Sequence, residues 1–114
     1  MIERGSVVVV DLEPTLGHEP RGLRPGVVVS DPEVVSAQRY PLIAIVPVTG
    51  RAGEGALYLS LAMGASGLRQ PYWALTDQGR SVDKRRVQRL MGRVSEAELA
   101  AIDQGLALYL GLAG

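Results

Sequence analysis

Two valine runs organise the first thirty residues. Val7-Val8-Val9-Val10 and Val27-Val28-Val29 are β-branched and continuous, the signature of buried strands. They predict strands over 6–12 and 26–30. Residues 42–48 (LIAIVPV) predict a third, with Pro47 near its end, as an edge or rim position allows. Residues 56–61 (ALYLSL) and 72–76 (YWALT) predict a fourth and a fifth, the latter broken by Asp77-Gln78-Gly79. Residues 87–94 (VQRLMGRV) fit helix or strand, and Gly92 with the valines favours strand. Asp31-Pro32-Glu33 predicts a helix start, with Asp as N-cap, Pro at the first helical position and Glu in the first turn. Pro41 keeps that helix short. Residues 83–86 (DKRR) can form one helical turn. The last element is the clearest. Ser95-Glu96-Ala97-Glu98 is a capping box, and Leu99, Ile102, Leu106, Tyr109 and Leu110 follow at helical spacing as one apolar stripe. Gly105 either weakens this helix by about 1 kcal/mol relative to Ala or permits close packing.

Five or six short strands and one long terminal helix predict a mainly β fold. The expected form is a small, strongly bent antiparallel sheet or barrel, with the helix over its open end or one face. At 114 residues the chain is expected to be one domain, 1–114. Hydrophobic residues at 46% and charged ones at 21% exclude a disordered chain. No apolar run approaches a membrane span and no signal peptide is evident, so a soluble cytoplasmic protein with no membrane role is expected. The formal net charge is zero, so no global field gathers nucleic acid or membrane. Lys84 is the only lysine, and every other basic side chain is arginine. That suits bidentate phosphate contacts and equally a coding bias. The absence of cysteine excludes disulfides and thiolate sites, and a single histidine argues against a protein-held zinc.

The connection between the valine strands, 15–25 (TLGHEPRGLRP), is longer than a hairpin needs. It carries the only histidine, His18, beside Glu19, and Arg21 and Arg24. Pro25 pushes Arg24 into extended backbone, which sets an arginine on a fixed strand entrance, fit to grip a phosphate. A solvated loop whose charges serve solubility explains the same residues. Residues 50–55 (GRAGEG) form a glycine-rich turn that fits neither a P-loop nor a dinucleotide fingerprint.

The segment from Arg4-Gly5 through Asp11-Leu12-Glu13-Pro14-Thr15-Leu16-Gly17-His18-Glu19 to Arg24-Pro25-Gly26-Val27-Val28-Val29-Ser30 resembles the opening of the MazF/PemK/Kid toxins of type II toxin–antitoxin systems. Pro47-Val48-Thr49, Gly67-Leu68, Asp77-Gln78 with Arg80-Ser81-Val82-Asp83-Lys84, and Met91-Gly92-Arg93-Val94-Ser95 resemble later family motifs, in the family's order. The resemblance implies an SH3-like barrel with a C-terminal helix, acting as a homodimer. It implies a sequence-specific endoribonuclease on single-stranded RNA, restrained by a cognate antitoxin whose acidic, hydrophobic tail crosses the RNA groove. It sets Arg24 and Thr49 as the central pair, His18 as the Kid-type loop histidine, Glu19 as the loop glutamate, and Asp77 with Gln78 as the acidic step. Three positions depart from the family pattern. Leu75 stands where Kid has an arginine, Gly50 where Ser or Thr is common, and Tyr72 where a polar residue is often found.

RNA brings its own nucleophile, the 2′-OH, so no metal or other cofactor is expected. Arg24 holds its proton too tightly to act as an acid and suits oxyanion stabilisation. Thr49 suits hydrogen bonding to the phosphate or the 2′-OH. His18 and Glu19 are the proton-transfer candidates, and Asp77 orients His18, contacts a base or simply caps a turn. Arg21, Arg51, Arg69 and Arg80 are candidate RNA contacts, with unpaired surface arginine as the alternative for each. Core packing is the expected role of Tyr72 and Trp73. Two rival functions stand beside the nuclease: a non-catalytic CcdB-like toxin that binds a protein such as gyrase, and a decayed toxin that only binds antitoxin.

Overall fold

Seven strands form one antiparallel sheet in the computed structural model, which describes residues 1–12, 17 and 22–112. They are β1 (Ser6–Asp11), β2 (Leu23–Val28), β3 (Leu42–Thr49), β4 (Tyr58–Leu61), β5 (Tyr72–Leu75), β6 (Arg80–Asp83) and β7 (Val87–Arg93). The main path runs β4-β5-β3-β2-β1-β7. The long β3 pairs with β6 through Leu42–Ile45 and with β5 through Val48–Thr49, along the edge opposite β2. Pro47 is buried in β3, paired with Gly26, rather than at a rim. It falls in the gap where β6 has ended and β5 has not begun, so its missing N–H removes no rung on that side.

Adjacent valines serve different cores. Val7, Val27, Val46, Val48, Ala74 and Ile102 meet in one cluster, while Val8, Val10, Val28, Ile43, Ile45 and Val82 meet in the other. Side chains alternate between faces along a strand, so a sheet buried on both faces needs the continuous valine runs. Helix α2 (Glu96–Tyr109) covers the first core. Val34 and Val35 of α1 (Pro32–Ser36), with Ile2 and Val87, pack on the second.

The bent sheet meets itself along a seam of loop rather than strand. Arg93 N donates to Ala65 O at 3.0 Å, joining the β4–β5 connection to β7. Two glycines allow the approach. A Cβ on Gly67 would lie 2.4 Å from Met91 O, and one on Gly92 would lie 2.3 Å from Ala65 O.

Both helix starts match their sequence signals. Asp31 accepts from Glu33 N at 3.0 Å, and Ser95 and Glu98 close the capping box reciprocally. Gly105 is a packing glycine, because a Cβ there would meet Leu59 and Thr76 at 3.0 Å. Four further expectations change. Strand β2 begins at Leu23, so Arg24 and Pro25 lie within it and not at its entrance. Strand β6 was not expected, since its four residues show a single buried apolar side chain, Val82. The α2 stripe buries Ile102 and partly buries Leu99 and Leu106, but Tyr109 and Leu110 stay 54% and 61% exposed. Tyr72 and Trp73 are half-buried rather than core, although Tyr72 packs against the first cluster.

Candidate active site

The β2–β3 ladder sets Gly26 against Pro47 as its last pair toward the loop end. Continuing that register by two residues brings Arg24 opposite Thr49. On its other side Arg24 pairs with Val10, and Thr49 pairs with Trp73. Directly opposed residues of an antiparallel sheet point to the same face. Arg24 and Thr49 therefore share one row and one face, at the end of three adjacent strands. Their placement comes from the backbone, since buried Val27, Val28, Ile45 and Val46 lock the register and a one-residue slip would turn every core side chain to the wrong face. Gly26 lets the strands close, because a Cβ there would sit 2.4 Å from Ile45 Cγ2. Thr49 Oγ1 accepts from Arg51 N at 3.3 Å, which ties the glycine-rich loop to the row.

The same loop reaches the acidic step. Gly53 packs on Tyr58, where a Cβ would lie 2.8 Å from the Tyr58 Cβ. The Tyr58 hydroxyl donates to Asp77 Oδ2 at 2.8 Å. That bond, the carboxylate charge and burial together raise the Tyr58 pKa above its ordinary value. Asp77 and Gln78 lie in the 3-10 turn Thr76–Gln78, and buried Thr76 fastens it by donating to Leu57 O. Asp77 Oδ1 and Gln78 Oε1 are buried and have no hydrogen-bond partner among the described residues. Two buried acceptors without donors are costly, and a ligand bearing N–H groups would satisfy them.

Arg80 and Arg86 brace the far end of β1, where the loop begins. Arg80 donates to Leu12 O at 3.1 Å and Arg86 to Asp11 O at 3.3 Å. Arg80, a candidate RNA contact by sequence, thus also anchors the loop's base. Arg51 and Arg69 are exposed, Arg69 beside Tyr72. His18, Glu19 and Arg21 lie outside the described residues. The structure adds Tyr58, which sequence reading passed over. Its partner is 19 positions away, and nothing local marks a strand tyrosine as a carboxylate holder. Gly50 and Tyr72, two of the three departures, prove to be neighbours: a Cβ on Gly50 would lie 3.7 Å from Tyr72 Cε1 and 2.5 Å from Gln70 Nε2.

A bent antiparallel sheet with a C-terminal helix packed on one face is a fold shared with known toxins. Residues 3–110 match the family of PemK-like, MazF-like toxins of type II toxin–antitoxin systems, and the chain belongs to that family. It is 38% identical over 116 residues to Endoribonuclease MazF9 of Mycobacterium tuberculosis, covering 98% of each chain. Among solved structures it resembles MazF from Deinococcus radiodurans at 28% identity, with a TM-score of 0.79 over 96% of both chains. It also resembles a MazE–MazF structure from the same organism at 27% identity and a TM-score of 0.76, covering 98% of this chain and 97% of that one.

Proposed function

We propose that this chain is the toxin of a type II toxin–antitoxin pair and a sequence-specific endoribonuclease on single-stranded RNA. Family membership supports the toxin role, and the relative named an endoribonuclease, at 38% identity over nearly the full length, supports the activity. The observation that carries the reading is the shared row of Arg24 and Thr49. It offers a fixed cation and a hydroxyl to one phosphate.

The reaction needs no outside nucleophile. A base takes the proton of the 2′-OH, the 2′-oxygen attacks the adjacent phosphorus, and the P–O5′ bond breaks. A second proton goes to O5′. The products are a 2′,3′-cyclic phosphate and a 5′-OH, and the scheme calls for no metal or other cofactor. Arg24 donates hydrogen bonds to the phosphate oxygens as charge builds, the role in which a preorganised cation contributes most. Thr49 fixes the phosphate or the 2′-OH. His18 and Glu19 move the protons, worth roughly 10²–10⁴-fold. Asp77 and Gln78 present buried acceptors, unpaired among the described residues, to base N–H groups, and Arg21, Arg51, Arg69 and Arg80 hold the RNA backbone. Single-stranded RNA suits the open row, because splayed bases present their edges to such groups.

The MazE–MazF structure at 27% identity supports a cognate antitoxin as the protein partner. We assign the chain as one toxin domain that works as a homodimer in the cytoplasm, where mRNA is the accessible substrate. Among the described residues no helix is long and apolar enough to cross a membrane.

End-labelled RNA of varied sequence, incubated with the purified protein in EDTA, tests the function. Discrete fragments with cyclic-phosphate ends are expected, with matched DNA left intact. Uncut RNA across all sequences would move the assignment to a CcdB-like protein-binding toxin or a decayed one.

A further inference from the structure

On the opposite face of the strand ends that carry Arg24 and Thr49 lies a cavity of about 300 Å³, whose lining includes Arg69, Tyr72, Arg89 and Met91. The register explains its position. Val9 pairs with Pro25 on one side and Arg89 on the other, the row next to Arg24–Val10–Val87. Tyr72 precedes Trp73, the partner of Thr49. Successive strand residues face opposite ways, so the cavity occupies the mouth of the first core, back to back with the Arg–Thr row. Barrel mouths are a recurrent place for ligands.

The lining has a definite chemistry. It holds two arginines and no acidic residue. Both arginines are exposed, and neither has a hydrogen-bond or ion-pair partner among the described residues. Three other surface arginines are paired, Arg39 with Glu33, Arg85 with Asp83 and Arg93 with Glu3, whereas exposed Arg51 bonds, among the described residues, only through its backbone N–H. Tyr72 adds a half-buried ring. The volume is at the lower end for a small-ligand pocket, large enough for one nucleotide and too small for a duplex. Gly50, which follows Thr49, has no side chain, and a Cβ there would lie 2.5 Å from Gln70 Nε2 and 3.7 Å from the Tyr72 ring.

We propose that this mouth is a flanking-nucleotide subsite. The RNA strand passes over the rim at Gly50, Arg69 and Arg89 hold a phosphate beside the scissile one, and a base stacks on Tyr72. Stacking on an aromatic ring with arginines along the backbone is a general way to hold single strands. The subsite rests on the ribonuclease reading and extends it. It gives the two departures at Gly50 and Tyr72 a joint purpose, the missing side chain opening the path to the added ring.

The test measures binding apart from cleavage. A fluorescent, randomised 2′-fluoro RNA 12-mer lacks the nucleophile and stays intact. Its affinity is measured across a salt series for wild type, Arg69→Ala/Arg89→Ala, Arg69→Lys/Arg89→Lys and Tyr72→Leu. The double alanine variant is expected to lose about tenfold or more in affinity, and its log–log salt slope to fall by about 0.7 per phosphate contact removed. The lysine variant should keep the slope. Tyr72→Leu should lose affinity at unchanged slope. Thermal melts confirm that each variant is folded. Wild-type affinity and slope in the double alanine variant would overturn the subsite. Unmodified RNA is assayed alongside: if wild type leaves it intact, the nuclease reading fails, whatever the arginine variants show. A wild type that binds no RNA at all overturns both.

Discussion

The Arg24–Thr49 row and the Asp77–Gln78 turn lie in one small sheet but are built by different means. The row is fixed by backbone. Ladders flank it and buried valines set its register, so its geometry exists before any ligand arrives. The turn is fixed by side chains: Tyr58 holds one oxygen of Asp77, and two further acceptors have no donor among the described residues. Preorganisation is what charge stabilisation requires, while unmet acceptors are what recognition of N–H groups requires. Under the proposed function, the contrast fits chemistry at the row and base reading at the turn.

Removing the row's cation should have the largest effect. Arg24→Ala is expected to cut cleavage by at least about 10²–10³-fold, the scale for losing one oxyanion donor, in a variant that remains folded. Circular dichroism and single-turnover cleavage check both halves. Attacking the backbone of the row should look different. Gly26→Ala forces a Cβ to within 2.4 Å of Ile45 Cγ2, and overpacking of this kind costs about 1–3 kcal/mol. Denaturant melts should report that loss, with activity falling as the ladder shifts.

The turn should respond in specificity. Tyr58→Phe removes the donor that holds Asp77 Oδ2, so the choice of cleavage site should broaden while the rate at the best site falls only roughly 2- to 10-fold. Sequencing of fragment ends reads this out. A rate loss equal to that of Arg24→Ala, with the site preference intact, would move Asp77 into the chemistry.

The smallest effect sharpens the contrast between two aspartates. Asp83 has donors on both oxygens, from Arg85 N, Nε and Nη2. Those hydrogen bonds, with the arginine charge, lower its pKa from 3.8 to about 2. A carboxylate with a depressed folded pKa contributes stability above its unfolded value and loses it as pH falls through the folded one. The stability advantage of wild type over Asp83→Ala should therefore be constant above pH 4 and shrink between about pH 4 and 2, as acid melts would reveal.

Much of the fold is legible in the chain because local signals and tertiary needs agree. Valine runs mark strands buried on both faces, and Ser95 with Glu98 marks the start of α2. Strand β6 is not legible, because Arg80, Ser81 and Asp83 look like loop until β3 offers them a partner. The seam glycines are also invisible in sequence, since their need arises only when residues 65–67 meet 91–93. Part of the site is legible as motif: Arg24, Thr49, Asp77 and Gln78 each stand in a recognisable short stretch. What cannot be read is which of them meet. The Arg24–Thr49 opposition is a property of register between residues 25 positions apart, and Tyr58 and Arg89 join their sites only through pairing across the sheet.

A double-mutant cycle on the row is the most direct test of its unity. Single-turnover cleavage would be measured for wild type, Arg24→Ala, Thr49→Ala and the double variant. Two groups acting on one phosphate should be strongly non-additive, so the double variant should be scarcely slower than Arg24→Ala alone. Losses that simply multiply would mean that Arg24 and Thr49 act independently and that their shared row is not the centre of the site.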